Sequence, residues 1–299
     1  MTAGAAALRH ADFRVPWRFE MGAKALDPTD WIEIDDDLAD DLAEKRRLLA
    51  ERHDQVVAVR SGSEAAQAEL RAHLARHLVR HRPDLYRDCP DGLHTLSDDR
   101  HWRFDGDALA PLDMAARWVQ EDLCLMQFDG RDWVLTAASV CFPTRWNLAE
   151  KIGRPMQAIH APVPGLEARL GRRIDNLFAR LRPGGGVWRV NWSVLDDPAL
   201  FQPAGHGRDR PLEGLTAENA GERIWLRNER QTLTRLPQSD AIVFTIRIHR
   251  APLSALAGDR ARCAALAGAL ATLSPEMTLY KSARRLEPAL SDWLARQAA

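Results

Sequence analysis

The sequence predicts an α+β fold built around an antiparallel sheet, with helices before and after it. Five runs carry the apolar or alternating pattern of strands: residues 123–128, 133–142, 187–195, 223–235 and 241–250. Helical periodicity is found before the first run, between the second and third runs, and after the last run. With 299 residues, of which 45% are hydrophobic, the chain can bury one large core or two modest ones.

The first third of the chain is predicted to be helical. A helix from about residue 35 is indicated by a line of leucines: Leu38, Leu42, Leu48 and Leu49. A second helix begins after Ser63, a residue type that caps helices, and ends at residues 82–83, where an Arg-Pro pair stops it. Residues 83–110 are predicted to form a long connection, and a third helix starts at Asp113 and runs to about residue 122.

The central third carries the strands. Asp129-Gly130 indicates a hairpin between the first two runs, because both central positions of a type I′ turn have positive φ. Two helical segments, at about residues 146–152 and 165–182, precede the third run. Strand, strand, helices and three further strands is the order of a PAS-type domain, a five-stranded antiparallel sheet with helices across one concave face. Other α+β folds share this order.

The pattern divides the chain into three parts of one compact unit. Residues 1–112 form a helical capping region, residues 113–255 the PAS-like core, and residues 256–299 a pair of C-terminal helices. The loop between residues 196 and 222 is long for a compact domain, and such loops often border a site.

Composition excludes several classes of function. The net charge of -1 and the pI near 6.8 provide no broad attraction to nucleic acid or to an acidic membrane. No apolar run approaches the ~18 residues that a membrane span requires. The four cysteines form no C-x-x-C motif, which argues against zinc and Fe–S sites and favours reduced thiols in a cytoplasm. We therefore expect a cytoplasmic protein.

His160 is the first residue that could carry chemistry. It lies among Pro155, Pro162 and Pro164, and proline restricts the backbone around it. A neutral imidazole on a stiff backbone suits an axial haem ligand. The alternative is a histidine that only hydrogen-bonds its own loop.

The strand at residues 223–235 carries charges where a buried strand usually has aliphatic residues. Alternation places Arg227, Glu229 and Gln231 on one side and Asn228, Arg230 and Thr232 on the other. Buried charges are costly unless they are paired, so the strand either builds a site or is a solvent-facing strand with cross-strand ion pairs. A glutamate can accept a hydrogen bond from a cationic amine, and an arginine can bind a carboxylate with two parallel bonds. Asn191 and Ser193 on the preceding strand are further candidates for binding a ligand.

Eight stretches taken together resemble the haem-bearing oxygenase subunit of the haem-dependent oxidative N-demethylase family. They are Val119-Gln-Glu-Asp122, Val140-Cys-Phe-Pro143, Trp146-Asn-Leu-Ala-Glu-Lys-Ile-Gly153, Ile159-His-Ala-Pro-Val-Pro164, Asn191-Trp192, Arg227-Asn-Glu-Arg-Gln-Thr-Leu-Thr-Arg-Leu-Pro237, Phe244-Thr-Ile-Arg247 and Tyr280-Lys281. Any single stretch is only a weak indication of the family, but the whole set is specific, because the stretches follow the family's order through most of the chain.

The resemblance implies a PAS-like fold that holds one haem b with a histidine axial ligand. It implies oxidation, with O2, of a methyl group on a small amine such as dimethylamine, giving formaldehyde. The resemblance also implies electrons from NADPH through separate flavin and Fe–S reductase subunits, and the lack of a motif for either cofactor in this chain agrees with it.

Site roles follow from the same resemblance. His160, inside the matching motif, is expected to ligate the haem iron. Arg227 and Glu229 are expected to be catalytic, and Arg230 and Asn191 to contact the cofactor. Two other functions stay open: a PAS-type haem sensor of gases, which usually has an output module, and an accessory subunit that has lost haem.

Overall fold

A seven-stranded antiparallel sheet runs through the chain in the computed structural model. The structure describes residues 8–17 and 21–299, without the side chains of residues 166–170 and 172. Parts of the predicted capping region, residues 1–7 and 18–20, therefore lie outside the described residues. The strands, in chain order, are β1 (Lys24–Ala25), β2 (Val57–Val59), β3 (Tyr86–Cys89), β4 (Gly92–Thr95), β5 (Arg100–Arg103), β6 (Asp122–Phe128), β7 (Trp133–Ser139), β8 (Gly186–Leu195), β9 (Trp225–Arg235) and β10 (Ile242–Pro252).

Helices flank the sheet on both faces. The α-helices are α1 (Leu38–Glu51), α2 (His53–Val56), α3 (Glu64–His81), α4 (Pro111–Ala116), α5 (Met156–His160), α6 (Leu166–Arg180), α7 (Ala220–Arg223), α8 (Arg260–Ala271), α9 (Pro275–Tyr280) and α10 (Ala289–Ala298). Short 3₁₀ helices lie at Pro28–Asp30, Leu148–Glu150, Leu253–Leu256 and Ala283–Leu286. Within the described part of the chain, no helix combines the length and the apolar character needed to cross a bilayer.

Each of the five predicted strands is present, but the sheet contains seven strands rather than five. The spatial order is β1-β8-β9-β10-β6-β7-β2, so the five predicted strands, β6 to β10, are adjacent and antiparallel. The two additional strands, β1 and β2, extend the edges. Both come from the region predicted to be helical, and each is too short to show alternation.

Three further predictions are wrong in their local detail. The connection at residues 83–110 contains a second, three-stranded sheet, β3-β4-β5. Its outer strands, β3 and β5, are rich in charged residues, and all three strands are only four residues long, so they lack an apolar signal. The third helix ends at Ala116, before the predicted end. In the hairpin after β6, Gly130 has positive φ but Asp129 does not, so the turn is not type I′.

The two faces of the sheet bury different cores. On one face, Leu123, Leu125 and Val243 pack with α3 and α4. On the same face, nearer β8, Trp192 and Leu226 pack with the C-terminal helices. The opposite face carries two apolar clusters over β6, β7 and β10, which include α6 and part of α1. Over β8 and β9 this second face is polar, and a cavity lies there.

Candidate functional site

A cavity of about 760 Å³ lies over the second face of the sheet, and its lining continues beside β8 to first-face residues such as Trp188, Trp192 and His10. This volume falls within the roughly 300–1,000 Å³ range of small-molecule and cofactor sites. Helix α5 contributes Met156, Ile159 and His160 to its wall. The loop between β8 and β9 contributes Pro203, Ala204, Gly205 and His206, so the long loop does border a site.

One part of the cavity wall is apolar. Strands β6, β7 and β10 contribute the following side chains: Cys124, Met126, Leu135, Phe244 and Ile246. Alternation along each strand places these residues on one face, while the residues between them enter the core on the other face. Such a wall suits a flat, largely apolar ligand and keeps water away from it.

His160 ends helix α5, and one of its ring nitrogens is already used. Its Nδ1 lies 3.0 Å from the carbonyl oxygen of Met156 in the preceding turn. A carbonyl can only accept, so Nδ1 carries the proton and Nε2 keeps its lone pair. Burial lowers the pKa of His160, and the bond to Met156 opposes this effect. The imidazole is therefore held neutral with Nε2 available as a metal ligand.

Glu229 is a buried carboxylate in the cavity wall, and three polar side chains surround it. It is 9% exposed, and it accepts hydrogen bonds from Thr144 Oγ1, from Asn191 Nδ2 at 3.3 Å and from Gln231 Nε2 at 2.8 Å. The register explains the arrangement, because Asn191 on β8 lies directly opposite Glu229 on β9. Amide and hydroxyl donors fix the carboxylate without neutralising its charge.

Arg227 lies two residues before Glu229 on the same face, but it turns away from the cavity. The side chain is 2% exposed and is not among the described residues that line the cavity. It donates to Thr144 Oγ1 at 2.9 Å and to the carbonyl oxygens of Phe142 and Leu200, each also at 2.9 Å. Burial lowers the pKa of Arg227 to about 10, so it stays charged at neutral pH. Arg227 thus holds Thr144, which in turn holds Glu229.

Arg230 lies on the opposite face of β9 from the cavity, as the alternation predicts. Its guanidinium donates to the carbonyl oxygens of Asp30 and Trp31, and its Nε lies 3.4 Å from Glu33. It is absent from the described residues of the cavity wall, whereas Asn191 is present there. The structure therefore brings together His160, Asn191 and Glu229 and leaves Arg230 outside.

Four cavity residues have roles that the strand pattern did not indicate. Arg189 on β8 has a buried Nε without a hydrogen-bond partner among the described residues. Lys281 donates from Nζ to the carbonyl oxygen of Trp192 at 2.7 Å, and burial lowers its pKa to about 8. His206 stacks on Tyr280 with ring centroids 4.3 Å apart. The cross-strand pairing of Arg189 with Gln231 is a signal that could have identified Arg189 once the register was known.

His206 also meets the simplest requirement for a metal ligand. Its Nδ1 lies 3.1 Å from the carbonyl oxygen of Tyr280, which leaves Nε2 available, as in His160. However, it comes from a loop and lies among Lys281, Glu229 and Arg145, whose charges all act on it. His160 lies instead beside Met156 and Ile159, on a helical turn.

The model of a protein family described as haem-dependent oxidative N-demethylase, alpha subunit-like, matches residues 22–291. The chain belongs to this family. The match confirms the resemblance seen in the sequence motifs and includes His160, Asn191 and Glu229. The family description names haem as a requirement, oxidative N-demethylation as the activity and an alpha subunit as the component, which indicates an assembly with other subunits.

The cavity of this N-demethylase alpha subunit-like chain fits the haem that its family requires. His160 provides an imidazole nitrogen with a free lone pair, a common ligand of haem iron. The apolar wall suits a porphyrin, and the orphaned Nε of Arg189 is a donor with no described partner in the protein. Arg189 and Lys281 are cations that suit the carboxylates of such a group.

Proposed function

We propose that this chain is the haem-binding oxygenase subunit of an oxidative N-demethylase. Its substrate is a small methylated amine of the dimethylamine type, which is oxidised with O2 and releases formaldehyde. Electrons come from NADPH through partner subunits that carry flavin and Fe–S centres. The observation that supports this proposal most is that one cavity contains both a neutral histidine, His160, and a buried carboxylate, Glu229.

The fold proposed for this function is PAS-like, with β6 to β10 as its five central strands. Their adjacency, with β10 between β9 and β6, and the position of α5 and α6 between β7 and β8 support the proposal. Strands β1 and β2 and the three-stranded sheet are then additions to this core.

His160 binds the iron of haem b through Nε2 in this proposal. The bond from Nδ1 to Met156 fixes the orientation of the ring and increases the basicity of the ligand. When bound, the haem supplies the O2-dependent oxidation of the N-methyl group. The apolar side chains of β6, β7 and β10 exclude water from this part of the cavity.

Glu229 binds the ammonium group of the substrate. Most methylated amines of this size are protonated at neutral pH, and a carboxylate pairs with such a cation most strongly in a site that excludes water. Thr144, Asn191 and Gln231 hold the carboxylate in one position, so the methyl group points in a defined direction.

Arg227 is a positioning residue that lies outside the cavity and acts on Glu229 through Thr144. It bonds Thr144 and the carbonyl oxygens of Phe142 and Leu200, so it fixes the loop that carries a hydrogen-bond donor to Glu229. Arg189, which lies in the cavity wall and is within electrostatic reach of Glu229, provides the guanidinium that borders the cavity instead. Asn191 acts through its bond to Glu229.

The test is release of formaldehyde from dimethylamine by the chain and its reductase partners. We expect release that requires NADPH and O2, and we expect Glu229→Gln to raise KM for the amine by about 100-fold, because it removes a buried charge pair worth about 3 kcal/mol. Gln231→Leu removes a neighbour of Glu229 and keeps the charge, so its KM should change less.

Two results would contradict the proposal. The first is a haem-loaded chain that receives electrons and releases no formaldehyde from any small methylated amine, as a gas sensor would behave. The second is an unchanged KM in Glu229→Gln, which would remove the carboxylate from the substrate site.

A further inference from the structure

A second group of metal-ligating side chains lies on the first face of the sheet, away from His160. It contains His10 from the N-terminal segment, Glu33 from the segment after β1, and His249 from β10. Nε2 of His10 lies 2.9 Å from Glu33 Oε2, and Nε2 of His249 lies 3.4 Å from the same oxygen. It is the one such group among the described residues.

His249 provides an independent sign that a ligand is missing from this group. The side chain is 2% exposed, and neither ring nitrogen has a hydrogen-bond partner among the described residues. The nearest charged oxygens, on Glu33 and Asp35, are each 3.4 Å away. Buried polar atoms are almost always hydrogen-bonded, so a buried imidazole whose two nitrogens meet carboxylates only at 3.4 Å leaves room for a tighter ligand.

The separations match the spacing of donors around a small divalent ion. A zinc ion binds nitrogen and oxygen at about 2.0–2.1 Å, which places donors about 3.4 Å apart in a tetrahedral site and about 2.9 Å apart in an octahedral one. The separations of Glu33 Oε2 from His10 Nε2 and from His249 Nε2, 2.9 Å and 3.4 Å, are close to these values, and all three ligand atoms lie within 4.8 Å of one another. Two imidazoles and one carboxylate are also a donor set that zinc and similar transition metals prefer.

A second layer of carboxylates supports the three ligands. Asp35 faces Nδ1 of His249, and Arg247 holds Asp35 with two contacts of 2.8 Å. Histidine ligands commonly donate their second ring N–H to such a carboxylate. Glu121, which is fully buried, accepts a hydrogen bond from the backbone N–H of Glu33 at 2.8 Å, and burial raises the pKa of Glu121.

Two arginines contact Glu33 but leave a position for a metal ion. Arg9 donates to Oε1 of Glu33 at 3.1 Å, an oxygen that His10 Nε2 also contacts at 3.0 Å. Arg230 gives its terminal nitrogens to the carbonyl oxygens of Asp30 and Trp31 and meets Glu33 only at 3.4 Å. Asp35, which lies 3.4 Å from Nδ1 of His249, places a further carboxylate beside the site.

We propose that His10 Nε2, Glu33 Oε2 and His249 Nε2 bind a divalent transition metal ion of the zinc type. The site joins three segments that are far apart in the sequence. His10 and its neighbours Arg9, Ala11 and Asp12 also line the cavity, so the ion fastens the segment that closes this side of it. The proposal is independent of haem binding, because the ion contacts none of the residues proposed to hold the haem.

The test is zinc binding by the full chain, dialysed against a chelator and then titrated with Zn²⁺. We expect about one zinc per chain that survives gel filtration, measured by elemental analysis, in which haem contributes only iron. We also expect Zn²⁺ to raise Tm, because the ion binds the folded state and not the unfolded one.

The matched variants are His10→Ala and His53→Ala. His10 belongs to the N-terminal segment, so we expect its replacement to leave the fold intact, whereas His53 is about half exposed and pairs with the buried carboxylate of Asp113, away from this group. His10→Ala should weaken zinc binding by more than about 100-fold, beyond the 10–100-fold loss typical of an outer partner. His53→Ala should bind zinc as the parent does.

Two outcomes would overturn the proposal. One is a chain that holds no zinc at micromolar concentrations of the free ion. The other is zinc binding of equal affinity in His10→Ala and His249→Gln, which would assign the ion to surface histidines such as His94 and His101, whose rings lie 4.1 Å apart. If His249→Gln does not fold, the comparison of His10→Ala with His53→Ala alone decides the question.

Discussion

At the scale of single residues, Arg227 and Glu229 show that charged neighbours on one strand face have different tasks. Glu229 reaches the cavity, while Arg227 is enclosed by backbone carbonyls and Thr144. We therefore expect a substitution at Arg227 to lower the stability of the fold, and to affect catalysis only as a consequence.

We expect Arg227→Met to lower the free energy of unfolding by about 3–5 kcal/mol, because it leaves several buried carbonyls and Thr144 without a donor. Urea denaturation followed by circular dichroism measures this loss. Arg250→Met is the control, since Arg250 is more exposed and donates to a single carbonyl, that of Pro198. A change below about 0.5 kcal/mol in Arg227→Met would contradict the structural role.

Lys281 should make stability depend on pH in the alkaline range. Burial lowers its pKa from 10.5 to about 8 in the folded state. Below pH 8 both states are protonated and the fold bears the full penalty of a buried charge. Between pH 8 and 10.5 only the folded state loses the proton, so stability rises with pH.

The measurement is the free energy of unfolding of the parent and of Lys281→Met at pH 7 and pH 10. We expect the parent to gain on the order of 1–2 kcal/mol relative to the variant over this interval, because partial exposure to the cavity screens the charge. The control is Lys24→Met, at an exposed lysine, which should keep the gain in the free energy of unfolding that the parent shows between pH 7 and pH 10. A parallel pH dependence in parent and Lys281→Met would refute the assignment.

At the scale of elements, the alternation within strands was readable from the sequence and the edges of the sheets were not. The pattern in β9 correctly separates Glu229 from Arg230, because successive side chains point to opposite faces. It does not tell which face borders the cavity, since that depends on helices and loops far away in the sequence. β1 and β2 are too short to show a period, and β3 to β5 are too polar to show one.

The same limit applies to the candidate site. The prolines around His160 identified a stiff histidine, and the charges of β9 identified Glu229. Arg189 and Lys281 reach the cavity through strand register and through a C-terminal segment, and these depend on tertiary structure. The orientation of Arg227 depends on the loop at residues 199–200, which approaches it from another part of the chain.

The edge between β1 and β8 can be tested at Gly186. A β-carbon there would lie 2.9 Å from Leu26 Cδ2 and 3.0 Å from the carbonyl oxygen of Leu233, closer than atoms normally approach. We expect Gly186→Ala to cost about 1–3 kcal/mol, since the backbone of β9 cannot move aside freely.

Gly185→Ala is the matched control in this test. Its β-carbon would meet only the carbonyl oxygen of Arg182 at 3.5 Å, which is ordinary contact. Thermal unfolding of both variants measures the difference. Equal Tm values for the two variants would contradict the close packing of Gly186 against Leu26 and β9.

At the scale of the whole molecule, the sheet separates two polar sites. One face carries the cavity with His160 and Glu229, and the other carries the group formed by His10, Glu33 and His249. The N-terminal segment contacts both, because His10 belongs to the group and also lines the cavity. The division of the chain at residues 112 and 255 stays a prediction, although β1 and β2 join the first part to the central sheet.

The measurement that tests the central claim most directly is the absorption spectrum of the purified chain, oxidised and then reduced with dithionite under carbon monoxide. We predict a haem spectrum in the parent and its loss, or a shifted Soret band, in His160→Ala. The control is His206→Ala, which removes the other cavity histidine whose Nδ1 bonds a backbone carbonyl. Its spectrum should match that of the parent. An unchanged spectrum in His160→Ala, or loss of haem only in His206→Ala, would contradict the account.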